Sequence, residues 1–209
     1  MNITKIVITG GPCAGKTTGL KFLEKSLSNL GYKVVLINEC ATEIILSGLD
    51  PTAFQTNLDF ERNIISLQVA KEKLYTQYCE KLPYEDVILI CDRGVMDCQS
   101  YMTKREFNQV LREFKLNKRQ LMTNYDAVFH LVTAAKGAEN AYTKTNNCAR
   151  RESLAEAKTS DSRTMKAWLS HPYFKLIDNS TNFENKIHRL VNEICSFLKN
   201  KKVTKTCNK

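Results

Sequence analysis

Eight consecutive residues carry the clearest chemistry in this chain: Gly10-Gly11-Pro12-Cys13-Ala14-Gly15-Lys16-Thr17. Small residues at this spacing let the backbone curl until successive N–H groups converge, which makes a nest for anionic oxygens. The β-rich run Ile3 to Thr9 leads into the turn, and a helical pattern leaves it at Lys16. A helix start adds its own partial positive charge at the same point. The lysine supplies a reaching point charge, and the hydroxyl behind it can ligate a hard cation. Together these are the parts needed to hold a chain of phosphates.

The spacing is GxxxxGK[ST], the P-loop, and it predicts contacts to a purine nucleoside triphosphate, ATP or GTP, from Gly11, Pro12, Cys13, Ala14, Gly15, Lys16, Thr17 and Thr18. Lys16 is expected on the β- and γ-phosphates and Thr17 on Mg²⁺. The helix dipole and Lys16 favour the thiolate of Cys13, although a small residue that fits the turn explains it as well.

Such a loop needs a metal-organising acid at the end of a neighbouring strand. VILICDRG offers Asp92, directly after four aliphatic residues and a cysteine, with Arg93 next to it. Glu39 ends a second apolar run, VVLINEC. In a parallel sheet the carboxyl ends of adjacent strands share one crevice, so Glu39, Asp92, Arg93 and the loop should face one another. A carboxylate and an arginine beside a γ-phosphate suggest a base for an acceptor hydroxyl and a clamp for anionic charge. Glu39 is also explained as the charge that starts the next helix. The polar segment 138–161 lies where small kinases place an arginine-bearing lid, with Arg150 and Arg151 as candidates.

The elements that must position these residues follow from periodicity. Strands are read at Ile3–Thr9, Val34–Ile37, Val87–Cys91, Ala127–Val132 and Tyr173–Ile177. Helices follow the loop, with Leu20, Leu23, Leu27 and Leu30 on one face up to Gly31, and then occupy about 58–81, 104–124 and 149–170. In the closing helix Phe183, Ile187, Leu190, Val191, Ile194 and Leu198 share a face. Continuous apolar strands between helices predict a parallel sheet covered on both sides, an α/β three-layer sandwich.

One domain is expected over 1–200, with a helical lid at about 136–165 and a basic flexible tail at 201–209. The longest apolar runs fall far short of the ~20 residues of a membrane span, and MNITKIVITGG lacks the pattern of a signal peptide. The 8 cysteines form no CxxC pair and several fall in core segments, which fits free thiols and a cytoplasmic location. Lys and Arg number 31 against 22 Asp and Glu, a net charge of +9, so anionic partners are favoured, including a protein or an anionic membrane. His130 is expected in the core or at its rim, His171 in a turn, and Trp168 packed on the sheet. No HExxH, GxSxG or spaced Cys/His cluster occurs, which argues against metalloprotease, serine hydrolase and zinc deaminase readings. No NKxD-like guanine reader is present either.

ITGGPCAGKTT, NECATEII, ICDRGVMDCQSYM, LVTAAKGAENAYT, NNCARRESLAEAKTSD and HPYFKLIDN resemble the AAA-type P-loop family that groups NadR-like ribosylnicotinamide kinase domains with TRP-channel translocation-defect proteins, the later segments being closer to the latter. The resemblance runs from Ile3 to about Leu198. It implies a five-stranded sheet of nucleoside-kinase-like order 2-3-1-4-5, with Arg150 rather than Arg151 as the lid arginine. It also implies Gln68 and Glu72 on the helix lining the acceptor pocket, with Arg93 beside them, and Asn179 near the nucleotide base. Two functions stay open. One is phosphoryl transfer to a small nucleoside-type acceptor, with Lys16, Glu39, Asp92, Arg93 and Arg150 in catalysis. The other is a nucleotide-dependent regulatory module in membrane traffic or protein localisation, with anionic lipid as a candidate contact; a nucleic-acid module is the weakest reading.

Overall fold

The computed structural model describes residues 1–141 and 153–207. Five strands, β1 (Asn2–Gly10), β2 (Lys33–Ile37), β3 (Asp86–Asp92), β4 (Ala127–Leu131) and β5 (Phe174–Ile177), form one sheet of order β2-β3-β1-β4-β5. Every pairing is parallel. Helices α1 (Lys16–Asn29), α2 (Cys40–Leu46), α3 (Asn57–Cys79), α4 (Lys104–Glu113), α5 (Lys118–Thr123), α6 (Leu154–Trp168) and α7 (Phe183–Cys207) surround it. The expected architecture is therefore the observed one.

Alternation along the central strands explains why the sheet needs cover on both sides. Ile6, Ile8, Ile88 and Ile90 point into a core shared with Leu23 and Leu27 of α1 and Leu190 and Ile194 of α7. Val7, Val87, Leu89 and Cys91 point the other way, against Ile65 of α3, Phe107 and Val110 of α4 and Trp168 of α6. A two-residue repeat that is apolar on both phases suits only a sheet sandwiched between helices. Truncating a fully buried leucine such as Leu23 costs about 2–5 kcal/mol in such an interior.

Register sets the site. Ile8 pairs with Asp92, Gly10 with Leu131 and Ile37 with Cys91. The carboxyl ends of β1, β2, β3 and β4 therefore finish along one edge.

Several local expectations change. The helix read over 104–124 is two helices, broken by Lys115 in the left-handed region at φ 54. Leu116 N donates to Leu111 O at 2.7 Å and Lys115 N to Arg112 O at 3.0 Å, a Schellman stop built without glycine. Asn117 then caps α5 through its Oδ1. The short helix α2 begins directly after Glu39, as one reading of that residue has it, while the 3₁₀ turn Val95–Ser100 was not anticipated.

The tail expected to be flexible from 201 is instead helical through Cys207. Lys201 pairs with Asp126 at 2.5 Å and Lys202 with Asp86 at 2.7 Å, tying α7 to the amino ends of β4 and β3. The lid expected at about 136–165 is corrected over its second half, because Ala157, Asp161 and Thr164 of α6 are buried. Among the described residues no helix is long and apolar enough to cross a membrane.

Candidate functional site

The loop Gly10–Lys16 rests on a backbone that other residues could not follow. A Cβ on Gly10 would stand 2.1 Å from the Leu131 carbonyl oxygen, and Gly15, at φ 88, would aim one at the Phe183 ring 2.4 Å away. Gly15 is the left-handed cap of α1, which turns the first N–H groups of that helix toward the cleft.

The loop is braced from outside by residues distant in sequence. Thr133 donates its hydroxyl to the Pro12 carbonyl, and Ala134 N donates to Cys13 O at 3.2 Å. The Lys186 ammonium, buried on α7, donates to Ala14 O at 3.0 Å, Val132 O at 2.6 Å and Asn179 Oδ1 at 2.8 Å. Asp161 of α6 accepts from Gly11 N at 3.0 Å, Thr133 N at 3.1 Å and Lys136 Nζ at 2.8 Å, and its Oδ1 lies 3.0 Å from His130 Nε2. Burial alone would raise the Asp161 carboxyl, but His130, Lys136 and the Gly11 amide hold it well below the usual carboxylate range.

Lys16 donates to Gly10 O and Gly11 O, both at 3.3 Å. Burial lowers its pKa, followed by repulsion from Arg93, while Glu39, Asp92 and Asp97 oppose the fall.

Opposite stands the acidic side of the cleft. Arg93, at φ 69, sits in a backbone conformation rare for a side chain of its size, directly after β3. Its Nε donates to Glu39 Oε1 and its Nη1 to Asp97 Oδ1 at 3.4 Å. Glu39 also accepts from Thr42 Oγ1 at 2.6 Å and stands at the start of α2, the position expected of a charge that begins a helix. Burial pushes the Glu39 carboxyl up, but Arg93 and Lys16 prevail and bring it down to about 2. Asp92 goes the other way: burial outweighs Lys16 and raises it to about 6.

Asp92 Oδ1 is buried and has no hydrogen-bond partner among the described residues. It lines the same cavity as Thr17. One carboxylate and one hydroxyl fit Mg²⁺, which keeps waters and phosphate oxygens in most of its positions. Among the described residues no group of three or more His, Cys, Asp or Glu side chains could cage a metal unaided.

A cavity of about 260 Å³ opens beside the loop, lined by Lys16, Thr17, Glu39, Asp92, Arg93 and Asp97 at one end and by Phe60, Glu61, Ile64, Gln68 and Tyr101 farther along. Gln68 is one of its walls; it donates to Arg93 O at 3.3 Å and accepts from Cys40 Sγ. Glu72 is not. It is buried behind Gln68, accepting from Tyr125 OH at 2.7 Å, Gln68 Nε2 at 2.8 Å and Lys5 Nζ at 3.4 Å, so it holds the wall in place.

The Asn179 amide donates to Thr133 O at 2.8 Å and Lys136 O at 2.7 Å and accepts from Lys186 at 2.8 Å. It helps shape a second concavity with Cys13, Ala14, Gly137 and Asn182. His130 is fully buried and Trp168 packs on the sheet, as expected. His171 bonds Tyr173 O and Tyr125 O, as befits a turn residue. Arg150 and Arg151 lie outside the described residues. Burial pushes the Cys40 thiol up to about 12 and Cys98 well above its ordinary value, so neither cysteine of the cavity is a thiolate.

Sequence reasoning missed Asp97, Asp161, Thr133 and Lys186. Asp97 accepts from Thr9 Oγ1, Gly94 N at 2.9 Å and Trp168 Nε1 at 3.1 Å, fixing the turn that carries Arg93. Only Lys186 left a trace, as a lone charge on the stripe of Phe183, Ile187 and Leu190.

A parallel sheet of order 2-3-1-4-5, a glycine loop running into a helix start and an acid at the end of the adjacent strand define a P-loop nucleotide-binding domain. The chain belongs to the family described as AAA domain, whose model matches residues 5–186. Comparison with curated proteins returns no match.

Proposed function

We propose that the protein is a Mg²⁺-dependent phosphotransferase that moves the γ-phosphoryl group of ATP or GTP to a hydroxyl of a small nucleoside-type acceptor. The observation that carries this reading is the cavity of about 260 Å³ facing Lys16, Thr17 and Asp92. A domain that only senses nucleotide needs the phosphate cradle but has no use for a half-apolar chamber beside it. The resemblance to ribosylnicotinamide kinase domains points the same way.

Lys16 carries charge on the migrating group, and Arg93 stabilises it from the opposite side. Arg150 is the candidate to add a second guanidinium from the lid. Thr17 and Asp92 are the residues to hold Mg²⁺, which when bound neutralises charge on the β- and γ-phosphate oxygens. Glu39, held down to about 2, is a weak base. Its part is to orient the acceptor hydroxyl and Arg93, which suffices for a loose transition state in which positioning dominates.

Glu39→Gln is expected to reduce transfer by roughly 100-fold, the scale of a misplaced reacting group, with little change in nucleotide affinity. Radiolabelled transfer from ATP and GTP to a nucleoside panel measures the first, and calorimetry the second. Unchanged transfer removes Glu39 from the mechanism. Slow hydrolysis that no acceptor stimulates would favour instead a regulatory module acting in membrane traffic or protein localisation through its basic surface.

A pH effect follows from Asp92, because a carboxylate must lose its proton to hold a cation. The gain in nucleotide affinity from Mg²⁺ should be full near pH ~7.5 and fall as the pH drops through about 6. The protein alone shows the opposite sign: protonation relieves a buried charge, so Asp92's contribution to stability is greatest in acid and lost as the pH rises through about 6. Affinity titrations with and without Mg²⁺ check this, and a pH-independent Mg²⁺ effect would exclude Asp92 as the ligand.

A further inference from the structure

Glu61 is a carboxylate that the proposed chemistry does not use. It projects from α3, is 4% exposed, and lines the cavity. Its Oε2 is buried without a hydrogen-bond partner among the described residues. Burial pushes its carboxyl up to about 7, against a lowering hydrogen bond with Cys98 and a lowering pull from Arg93. An isolated buried acceptor of this kind costs free energy unless something donates to it.

The other acids of the cavity are either engaged or, in the case of Asp92, whose Oδ1 is also without a partner among the described residues, reserved for Mg²⁺. Glu39 and Asp97 accept from Arg93, and Asp97 also from Trp168, Gly94 and Thr9. Asp92 faces Thr17 and the loop. Four carboxylates, Glu39, Glu61, Asp92 and Asp97, stand against two cations, Lys16 and Arg93, so the lining is acidic before any ligand enters. Phe60, Ile64 and Tyr101 line the same cavity as Glu61, so apolar and aromatic surface accompanies the buried carboxyl. At about 260 Å³ the chamber is just under the roughly 300 Å³ at which drug-sized ligand sites begin.

Resting on the phosphotransferase reading, we infer that Glu61 is the residue that selects the acceptor: its free carboxylate oxygen takes a hydrogen bond from an N–H or second hydroxyl of a neutral or cationic nucleoside-sized compound, and it turns away acceptors that carry a phosphate. A site built to bond a donor rejects ligands lacking one, because its own buried group is then left unpaired. Where the Glu61 carboxyl is ionised, above about pH 7, an anionic acceptor meets like charge that solvent screens little.

The test is calorimetry of the full chain with adenosine, guanosine, cytidine, uridine and ribosylnicotinamide, each beside its 5′-monophosphate, for the wild type and Glu61→Gln. At least one nucleoside is expected to bind the wild type, its monophosphate to bind at least ~10-fold more weakly, and Glu61→Gln to weaken the nucleoside by about 10- to 100-fold, the scale of a charge-assisted hydrogen bond. The variant should melt no lower than the wild type, since an amide is cheaper to bury than a carboxylate. Failure of every nucleoside to bind, tighter binding of monophosphates, or equal affinity in the variant overturns the assignment. Transfer assays run in parallel separate the two readings. Transfer with a variant of unchanged affinity leaves the phosphotransferase standing and removes this role of Glu61, whereas Glu61-dependent binding without transfer does the reverse.

Discussion

Lys16→Ala is expected to weaken binding of ATP and GTP, with Mg²⁺ present, by roughly 100-fold or more while leaving the fold intact. The ammonium comes from the loop itself, 3.3 Å from two loop carbonyls, and phosphate oxygens would replace those carbonyls as its partners. Two charge-assisted hydrogen bonds at about 1.5–3 kcal/mol each correspond to about 100- to 10,000-fold in affinity. The fold should not suffer, because burial already works against the charge and lowers the Lys16 pKa. Calorimetry reads the affinity and a melting curve reads the fold. Equal affinity in the variant would mean that the lysine does not touch the triphosphate.

Asp161→Ala should produce the largest loss of stability of any single polar substitution in the site. The carboxylate is 1% exposed and meets Gly11 N, Thr133 N, Lys136 and His130, so removing it strands buried donors on three separate segments. Breaking a buried, bonded charge of this kind costs about 3–5 kcal/mol. In a chain of this size that lowers the melting temperature by roughly 6–20 °C. Because Gly11 and Thr133 brace the loop, triphosphate affinity should fall as well.

The pH dependence has a definite sign. The folded carboxyl lies below its ordinary 3.8, so its contribution is fully present above that value and is withdrawn as the pH falls through the lowered one. A melting temperature within ~2 °C of wild type would show that the loop is held by other means.

These two residues show what could be read from the sequence and what could not. Lys16 sits in a run of eight residues whose types are fixed by local geometry, so the loop, its strand and its helix could be placed without coordinates. The same holds for Asp92, Arg93 and Glu39, because the ends of apolar strands are easily found and a parallel sheet gathers them. Asp161 lies 150 residues from its partner Gly11, in an ordinary polar helix, and only the packed fold brings the two together.

Glu72 and Asn179 show a related limit. Placing a residue on the correct helix or loop does not say which polar group it satisfies, and both are committed to the protein itself. The helix break at Lys115 was hidden because its left-handed residue is not glycine. The end of α7 was misjudged because its lysines read as a solvated tail, while Asp126 and Asp86 wait beneath them.

Calorimetric titration of the wild-type protein with ATP, GTP and their diphosphates, with and without Mg²⁺, tests the central claim most directly. The account predicts one saturable site for at least one triphosphate, tighter with Mg²⁺ than without, and accompanied by a higher melting temperature. No heat and no thermal protection from any of the four nucleotides would contradict it.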